Sequence, residues 1–234
     1  MSKAYIAIPT YNEAENIGPL TREIFRHVPD VSVLVADDDS PDRTGDAVRA
    51  LQKEYPRLSL LERKGVRGFA GAHLAAFDAI LQNPSVEHIV TMDGDFSHHP
   101  RYVPEMLKAA EKYDLVVGSR YATGGGVKNW SMRRRLLSRF GNLYARLVTG
   151  IPCRDVTAGF MCIRASVLRE LPWRSMQAQG YAWLIELKML FSRAGAAIAE
   201  VPIVFEERRS GASKISRSII AEGIIQPVRM RFKK

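Results

Sequence analysis

Two aspartates separated by one glycine, Asp93 and Asp95, follow an apolar run that ends at Met92. In an extended chain, residues i and i+2 point to the same side, roughly 7 Å apart, so both carboxylates could face one ligand. Carboxylates at the end of a buried strand can hold a metal ion. The same residues also fit an ordinary Asp-Gly turn. The pair alone therefore leaves a metal site and a turn both open.

Five short apolar runs predict strands, and stretches with helical periodicity separate them. The predicted strands span residues 4–9, 31–37, 58–61, 88–92 and 114–118. This alternation favours an α/β domain with a mostly parallel central sheet flanked by helices. Ligands bind such sheets at the carboxyl ends of the strands, where the polar clusters PTYNEAEN, ADDDSPD and DGDFSHH would meet. That placement favours a binding site over three unrelated turns.

Length and composition predict one domain over residues 1–234. The chain is 46% hydrophobic, and no linker, low-complexity tract or internal repeat divides it. It begins without a long apolar leader, and charged residues interrupt its longest apolar stretch, 187–205, so we expect neither export nor a transmembrane domain. Cys153 and Cys162 have no His or Cys neighbours at metal-binding spacing, which predicts buried thiols in a reducing compartment.

The formal net charge of +9 indicates an anionic partner: nucleic acid, a membrane surface or a phosphorylated substrate. The chain has neither a G-x-G-x-x-G motif after the first predicted strand nor a Walker motif. A diphosphate would therefore need another way to be held. A metal ion bound by acidic residues is the economical choice.

Five segments occur in the order and spacing of family 2 glycosyltransferases with the GT-A fold. They are IPTYNEAENI, ADDDSPDRTG, MDGDFSHHP, VVGSRYATGGGV and ERRSGASKI. The chain most closely resembles the polyprenyl-phosphate (dolichyl-phosphate) mannosyltransferases, over residues 5 to about 223. The resemblance implies a single GT-A (Rossmann-like) domain, and it favours the metal site over the turn at Asp93 and Asp95.

For the metal, the resemblance implies that Asp93 and Asp95 hold Mg²⁺ or Mn²⁺ against the diphosphate of a sugar nucleotide, where the cation neutralises the charge of the leaving group. Gly94 would let the backbone approach the ligand closely. Some relatives carry a further Gln ligand at the position of Ser97. Because serine is a shorter and weaker donor, Ser97 would contact the metal either directly or through water.

For the donor nucleoside, the resemblance implies a pocket at the first two strand ends, lined by Pro9, Tyr11, Glu13, Ala36 and Asp38. Glu13 could instead complement the dipole of the following helix. Asp37 and Asp39 could be turn residues beside Asp38. Arg43 occupies a position where relatives often have Gly, and we expect a surface change in the first turn of the next helix.

Three cations, Arg120, Arg208 and Lys214, match family positions that contact donor or acceptor phosphates. Arginine suits bidentate phosphate contact, and lysine supplies a mobile point charge. The segment 207–214 contains glycine and serine, which predicts a loop able to close over bound nucleotide. Without the other motifs, the same segment would indicate only a solvated basic loop.

A basic amphipathic helix is predicted over about residues 131–148. Residues 128–148 contain six basic residues and no acidic one, and a helical projection separates an apolar arc from an arc of arginines. This pattern suits an anionic membrane surface, and a packed helix with a solvated basic face is the alternative. By resemblance, Arg134 and Ser138 would receive the phosphate of a lipid carrier together with Arg120.

The expected reaction transfers mannose from GDP-mannose to polyprenyl phosphate with inversion, giving polyprenyl β-mannosyl phosphate and GDP. The acceptor phosphate is already anionic, so no general base is obligatory. UDP-glucose or UDP-N-acetylglucosamine are alternative donors. A non-catalytic nucleic-acid-binding module is disfavoured, because strand-end aspartates repel a phosphate backbone, and we expect no nucleic-acid partner.

The expected location is the cytoplasmic face of a membrane, with peripheral attachment. Many relatives carry transmembrane helices after the catalytic domain, and this chain shows none. Attachment would therefore occur directly or through a membrane-anchoring partner.

Overall fold

The computed structural model describes residues 3–178, 180, 182–206 and 217–232. A seven-stranded sheet in the order β3-β2-β1-β4-β7-β5-β8 forms its centre, beside a two-stranded sheet of β6 and β9. The strands are β1 Ala4–Thr10, β2 Ser32–Asp37, β3 Leu58–Glu62, β4 His88–Thr91, β5 Leu115–Ser119, β6 Gly126–Val127, β7 Met161–Arg164, β8 Ile198–Pro202 and β9 Val204–Phe205.

Eight α-helices flank the sheet in the described part of the chain. They are α1 Ala14–His27, α2 Thr44–Leu51, α3 Phe69–Leu81, α4 Val103–Ala110, α5 Met132–Thr149, α6 Ala165–Glu170, α7 Ala182–Arg193 and α8 Arg217–Phe232. None of these described helices is long and apolar enough to cross a membrane.

The predicted α/β architecture is confirmed, and the five predicted strands coincide with β1 to β5 to within two residues at each end. Every pairing in the large sheet is parallel except those of β7, which lies antiparallel between β4 and β5. The sequence analysis did not single out β7 or β8. The sheet is therefore mostly parallel, with one inserted strand of opposite direction.

The core lies on both faces of the sheet because successive side chains of a strand point to opposite faces. In β1, Ile6 and Ile8 belong to one buried cluster and Ala7 to the other. Cys153 and Cys162 are free and buried, as predicted. Burial raises the pKa of each thiol to about 12, so both are unreactive packing residues.

Candidate active site

The acidic loop after β4 is held by contacts on both sides of its glycine. The Asp93 N–H donates to His98 Nδ1 (3.0 Å), and the Ser97 N–H donates to Asp95 Oδ1 (3.0 Å). His98 is buried and stacks on Phe160 with ring centroids 5.0 Å apart. Because Nδ1 accepts the Asp93 N–H, the proton of the neutral ring lies on Nε2. These contacts fix the backbone that carries both carboxylates.

Gly94 packs against the end of β1. A Cβ at this position would lie 3.3 Å from Thr10 Cγ2 and 3.4 Å from Glu13 Cγ, so a side chain here would crowd both residues. Glycine therefore lets the acidic loop and the first polar cluster touch. The meeting of these two clusters, expected from the strand order, is confirmed.

The donor atoms of the acidic loop fit a divalent cation whose ligands come partly from the protein and partly from a substrate. Asp95 is buried, whereas the side chain of Asp93 is partly exposed. Ser97 Oγ is buried and has no hydrogen-bond partner among the described residues. No group of three or more His, Cys, Asp or Glu side chains in that part of the chain could hold a metal alone. Mg²⁺ bound by one or two carboxylates takes its other ligands from water and substrate phosphates, and this site matches that pattern.

Asp37 links the loops that follow β1 and β2. Its Oδ1 accepts hydrogen bonds from Thr10 Oγ1 (2.8 Å) and Ser40 Oγ (2.6 Å), and Ser40 Oγ accepts one from the Asn12 N–H (3.0 Å). These bonds satisfy a buried carboxylate, which would otherwise be costly. Asp37 is thus a turn-organising residue, one of the two interpretations that the sequence left open.

Asp38, predicted to line the nucleoside pocket, has its carboxylate engaged within the protein. One oxygen pairs with Arg63 Nη1, and the other accepts the Gly68 N–H (2.7 Å). The segment that joins β3 to α3 is thereby tied to the end of β2. This segment also carries Arg67, whose guanidinium carbon lies 4.5 Å from the ring centroid of Tyr11. The segment therefore connects the loop after β2 with the loop after β1.

Sequence reasoning missed Arg63 and Arg67. The only signal for them was the basic, glycine-containing stretch RKGVRG after the third predicted strand. Their roles depend on partners that lie far away in the sequence, namely Asp38 and Tyr11.

Glu13, the other predicted carboxylate of the pocket, is the N-cap residue of α1. Its Oε2 accepts a hydrogen bond from Asn16 Nδ2 (2.8 Å), and its N–H donates to Thr44 Oγ1 (2.9 Å). A carboxylate at this position complements the helix dipole, which is the alternative role that the sequence left open for Glu13. The Glu13 side chain also lies beside Gly94. Pro9 and Ala36, the first residues of the two polar clusters, are paired neighbours in the β1–β2 register.

We expected Arg43 in the first turn of α2, but it is the N-cap residue of that helix, with φ of 65°. It is exposed, so the expected surface position is confirmed. A positive φ of this size is the left-handed region in which glycine is free of strain. The backbone geometry explains why glycine suits this position.

Arg120, at the end of β5, is clamped by the buried carboxylate of Asp155. Its Nε and Nη2 donate to the two carboxylate oxygens at 2.7 and 2.6 Å, and its backbone N–H donates to Oδ2 at 2.9 Å. Nη2 also donates to Thr157 Oγ1 (2.8 Å). Burial acts to raise the pKa of Asp155, but the Arg120 guanidinium and its hydrogen bonds hold it below its ordinary value. The guanidinium is therefore fixed in one orientation.

The clamp continues into the core. The Asp155 N–H donates to Glu200 Oε1 (3.0 Å), and the fully buried Lys188 donates to the Ala158 carbonyl (2.7 Å). Burial lowers the pKa of Lys188 to about 8. Asp155 lies in the segment CRDVTAGF, which the sequence analysis did not single out, and its partner is 35 residues away.

The three predicted acceptor residues come together around two aromatic side chains. The guanidinium carbons of Arg134 and Arg120 lie 4.1 and 5.7 Å from the ring centroid of Trp130. Ser138 Oγ accepts a hydrogen bond from the Tyr121 hydroxyl (2.6 Å). Arg208 and Lys214, the predicted loop cations, lie outside the described residues.

Helix α5 confirms the predicted amphipathic helix but packs on the domain with its polar side. Asn142, Ala145 and Thr149 are buried, and Asn142 Nδ2 donates to Thr157 Oγ1 (3.1 Å). Six residues of the predicted apolar arc are instead exposed, with Leu147 at 74% and Phe140 at 66%; the others are Met132, Leu136, Leu137 and Leu143. These six side chains therefore lie outside the core, and the membrane-facing role of the helix stays a prediction.

The residues 5–172 match the model of Glycosyl transferase family 2. The chain belongs to this family and is a glycosyltransferase. Among curated proteins, it is 40% identical to the undecaprenyl-phosphate mannosyltransferase of Micrococcus luteus over 223 residues, which are 95% of this chain and 91% of the relative. It is 37% identical to the polyprenol monophosphomannose synthase of Mycolicibacterium smegmatis over 226 residues, 96% of this chain and 85% of the relative.

Solved structures of glucosyl-3-phosphoglycerate synthase from Mycobacterium tuberculosis share the fold. A complex with Mn²⁺, UDP and phosphoglyceric acid superposes with a TM-score of 0.70 at 20% identity, covering 98% of this chain and 78% of that one. A complex with Mg²⁺ and UDP gives 0.69 at 20% identity, covering 98% and 79%. At this identity, the likeness confirms the GT-A fold.

Proposed function

We propose that the protein transfers mannose from GDP-mannose to a polyprenyl phosphate, giving polyprenyl β-mannosyl phosphate and GDP. The observation that carries this proposal is the grouping of Arg120, Arg134 and Ser138 around Trp130 and Tyr121, on and beside a helix, α5, that also exposes an apolar side. A polyprenyl phosphate joins an anionic group to an apolar chain, and these two surfaces match its two parts. Both curated relatives carry names that join a polyprenyl phosphate with mannose.

On the donor side, Asp93 and Asp95, with Ser97 directly or through water, would hold Mg²⁺ or Mn²⁺. When bound, the cation neutralises charge on the leaving diphosphate. Pro9, Tyr11, Glu13, Ala36, Asp38, Gly94 and the loop residues Arg208 and Lys214 would bind the rest of the sugar nucleotide. The fixed backbone around Gly94 supports this role, because it aims both carboxylates without reorganisation during the reaction.

On the acceptor side, Arg120 and Arg134 would bind the phosphate oxygens, and Ser138 would donate a further hydrogen bond. The phosphate is the nucleophile and is anionic at neutral pH, so no side chain has to remove a proton. Attack on the anomeric carbon from the face opposite the nucleotide inverts its configuration. Asp155 supports this step indirectly, because it holds Arg120 in one rotamer.

Peripheral attachment to the cytoplasmic face of a membrane, directly or with an anchoring partner, would bring the enzyme to its acceptor. The exposed apolar side of α5 supports direct attachment. Helix α8 packs beside α5 and adds exposed Ile225, Val228 and Phe232. An amphipathic helix of this kind lies in the membrane interface with its apolar side towards the acyl chains.

A binding and transfer assay tests the donor and the acceptor separately. Thermal unfolding is measured with GDP-mannose, UDP-glucose or UDP-N-acetylglucosamine, each with and without Mn²⁺. We expect GDP-mannose with Mn²⁺ to raise Tm most, because ligands stabilise the state that binds them. A larger shift with either UDP-sugar would contradict the proposed donor. Radiolabelled GDP-mannose should label a short polyprenyl phosphate, and unlabelled lipid would contradict the acceptor.

A further inference from the structure

A cavity of about 330 Å³ lies where the loop after β5 meets α5. Four arginines line it, Arg120, Arg139, Arg146 and Arg154, and none of its lining residues is acidic. Arg139, Arg146 and Arg154 form no ion pair with any residue in the described part of the chain. We call these three residues the arginine triad. Such a concentration of cations without carboxylates is a site for an anion.

The arginine triad is distinct from the proposed acceptor site. Arg134 and Ser138 do not line the cavity, whereas Arg120 and Tyr121, the hydrogen-bond partner of Ser138, border both sites. Arg120 is held by Asp155 and is assigned to the acceptor phosphate in the proposed reaction. An anion in the cavity would therefore be held mainly by side chains that the transfer reaction does not use.

The position of the triad relates the cavity to the apolar side of α5. Arg139 and Arg146 are seven residues apart, about two helical turns, and so lie on one flank of the helix. This flank separates the buried Asn142 from Leu143, which is 50% exposed and also lines the cavity. An anion held there lies at the edge of the exposed apolar surface. In a membrane-bound orientation, this is the level of lipid headgroups.

We propose that the arginine triad binds the phosphate of an anionic phospholipid of the bilayer, as a second lipid site beside the acceptor site. This inference rests on the proposed membrane attachment. Guanidinium groups suit phosphate oxygens because their planar forks donate two parallel hydrogen bonds. The bound headgroup would orient the enzyme with Arg134 and Ser138 at the membrane surface, where an acceptor phosphate arrives.

Vesicle sedimentation tests the proposal with the variant R139Q/R146Q/R154Q. The vesicles consist of phosphatidylcholine with or without phosphatidylglycerol. We expect affinity for the anionic vesicles to fall on the order of 100-fold, since each basic residue near such a surface contributes about fivefold. The charge-matched control R22Q/R26Q/K53Q removes exposed cations from α1 and the end of α2, which cover the opposite half of the sheet. Equal losses in both variants would overturn the site, because only total charge would then matter.

Two further measurements identify the ligand and separate this site from the acceptor site. Calorimetric titration with glycerol phosphate tests a free phosphate as the source, and binding as tight as that of vesicles would overturn the lipid proposal. Transfer to a short, water-soluble polyprenyl phosphate should be unchanged in R139Q/R146Q/R154Q. A raised KM for this acceptor would instead make the cavity part of the acceptor site. If the wild type transfers mannose to the short polyprenyl phosphate but binds no anionic vesicle, the lipid site is refuted and the proposed reaction stands.

Discussion

The proposed donor and acceptor sides of the site carry opposite charges, and different contacts hold those charges in place. At the ends of β2 and β4, carboxylates are fixed by hydrogen bonds, from the neighbouring end of β1 for Asp37 and from its own loop for Asp95. Between β5 and α5, guanidinium groups are fixed by the buried Asp155 and by the ring of Trp130. In the proposed reaction, the donor side would therefore need a cation before it accepts a diphosphate, whereas the acceptor side would bind an anion directly.

The largest expected effect is on the donor side. Asp95→Asn should lower transfer at least about 10³-fold, because the cation loses a charged ligand and the leaving diphosphate its counter-charge. EDTA should do the same to the wild type, while the melting temperature of the variant stays near the wild-type value. Ser97→Ala is the matched control and should lose much less transfer activity than Asp95→Asn. Full activity in EDTA would contradict a metal on this side.

The corresponding change on the acceptor side is Asp155→Asn, with an expected loss of transfer on the order of 100-fold. Without the carboxylate, Arg120 loses its fixed orientation and its charge loses its buried partner, which also destabilises the fold by about 3 kcal/mol. Steady-state kinetics at a temperature where the variant is folded should assign the loss to acceptor KM and kcat.

Binding of GDP-mannose to Asp155→Asn, measured by fluorescence, should be nearly unchanged. Thr157→Val, which removes one hydrogen bond to Arg120, should reduce transfer less than Asp155→Asn does. If both variants lost donor binding in step with transfer, the two sides would not be separable.

A smaller effect is expected on the apolar surface that borders the acceptor side. Leu136→Glu with Phe140→Glu should lower transfer to long, membrane-bound polyprenyl phosphate about tenfold and spare a short, soluble acceptor. Both side chains are exposed, so the unfolding temperature should not change. Tyr113→Glu, at an exposed position after α4, is the control. Unfolding of the double variant would show that the two residues support the core.

The smallest expected effect concerns the backbone of the donor side. Arg43→Gly should raise the free energy of unfolding by up to about 1 kcal/mol, because relief of the left-handed conformation exceeds the entropy cost of glycine. Urea denaturation measures this difference. Transfer should be unaffected, since Arg43 is exposed and is not among the residues assigned to either substrate. A destabilised variant would mean that the arginine side chain makes a compensating contact.

The donor side was largely predictable from the sequence, because apolar runs and the polar residues after them mark strand ends directly. The acceptor side was less so. A helical projection separates the two arcs of α5 but does not tell which one packs on the domain, and here the hydrogen bonds of Asn142 and Ser138 select the polar one. Asp155 was missed because nothing in its local sequence indicates a distant arginine. The pairing of Asp38 with Arg63 was missed for the same reason, and its predicted role in nucleoside binding stays a prediction.

The inserted strand β7 has a consequence for folding. Because β7 lies between β4 and β5, the strands β1 to β4 can pair from one continuous stretch of chain, but β5 joins them only after the chain has passed through α5. Contacts of large sequence separation form slowly, since loop closure costs entropy before pairing repays it. We therefore expect α5 to be enclosed in the loop that closes last. The apolar side of α5 would then be displayed on a sheet that is already complete. Until β7 pairs with β4, the unpaired edge of β4 would be open to pairing with another chain, which leads to aggregation.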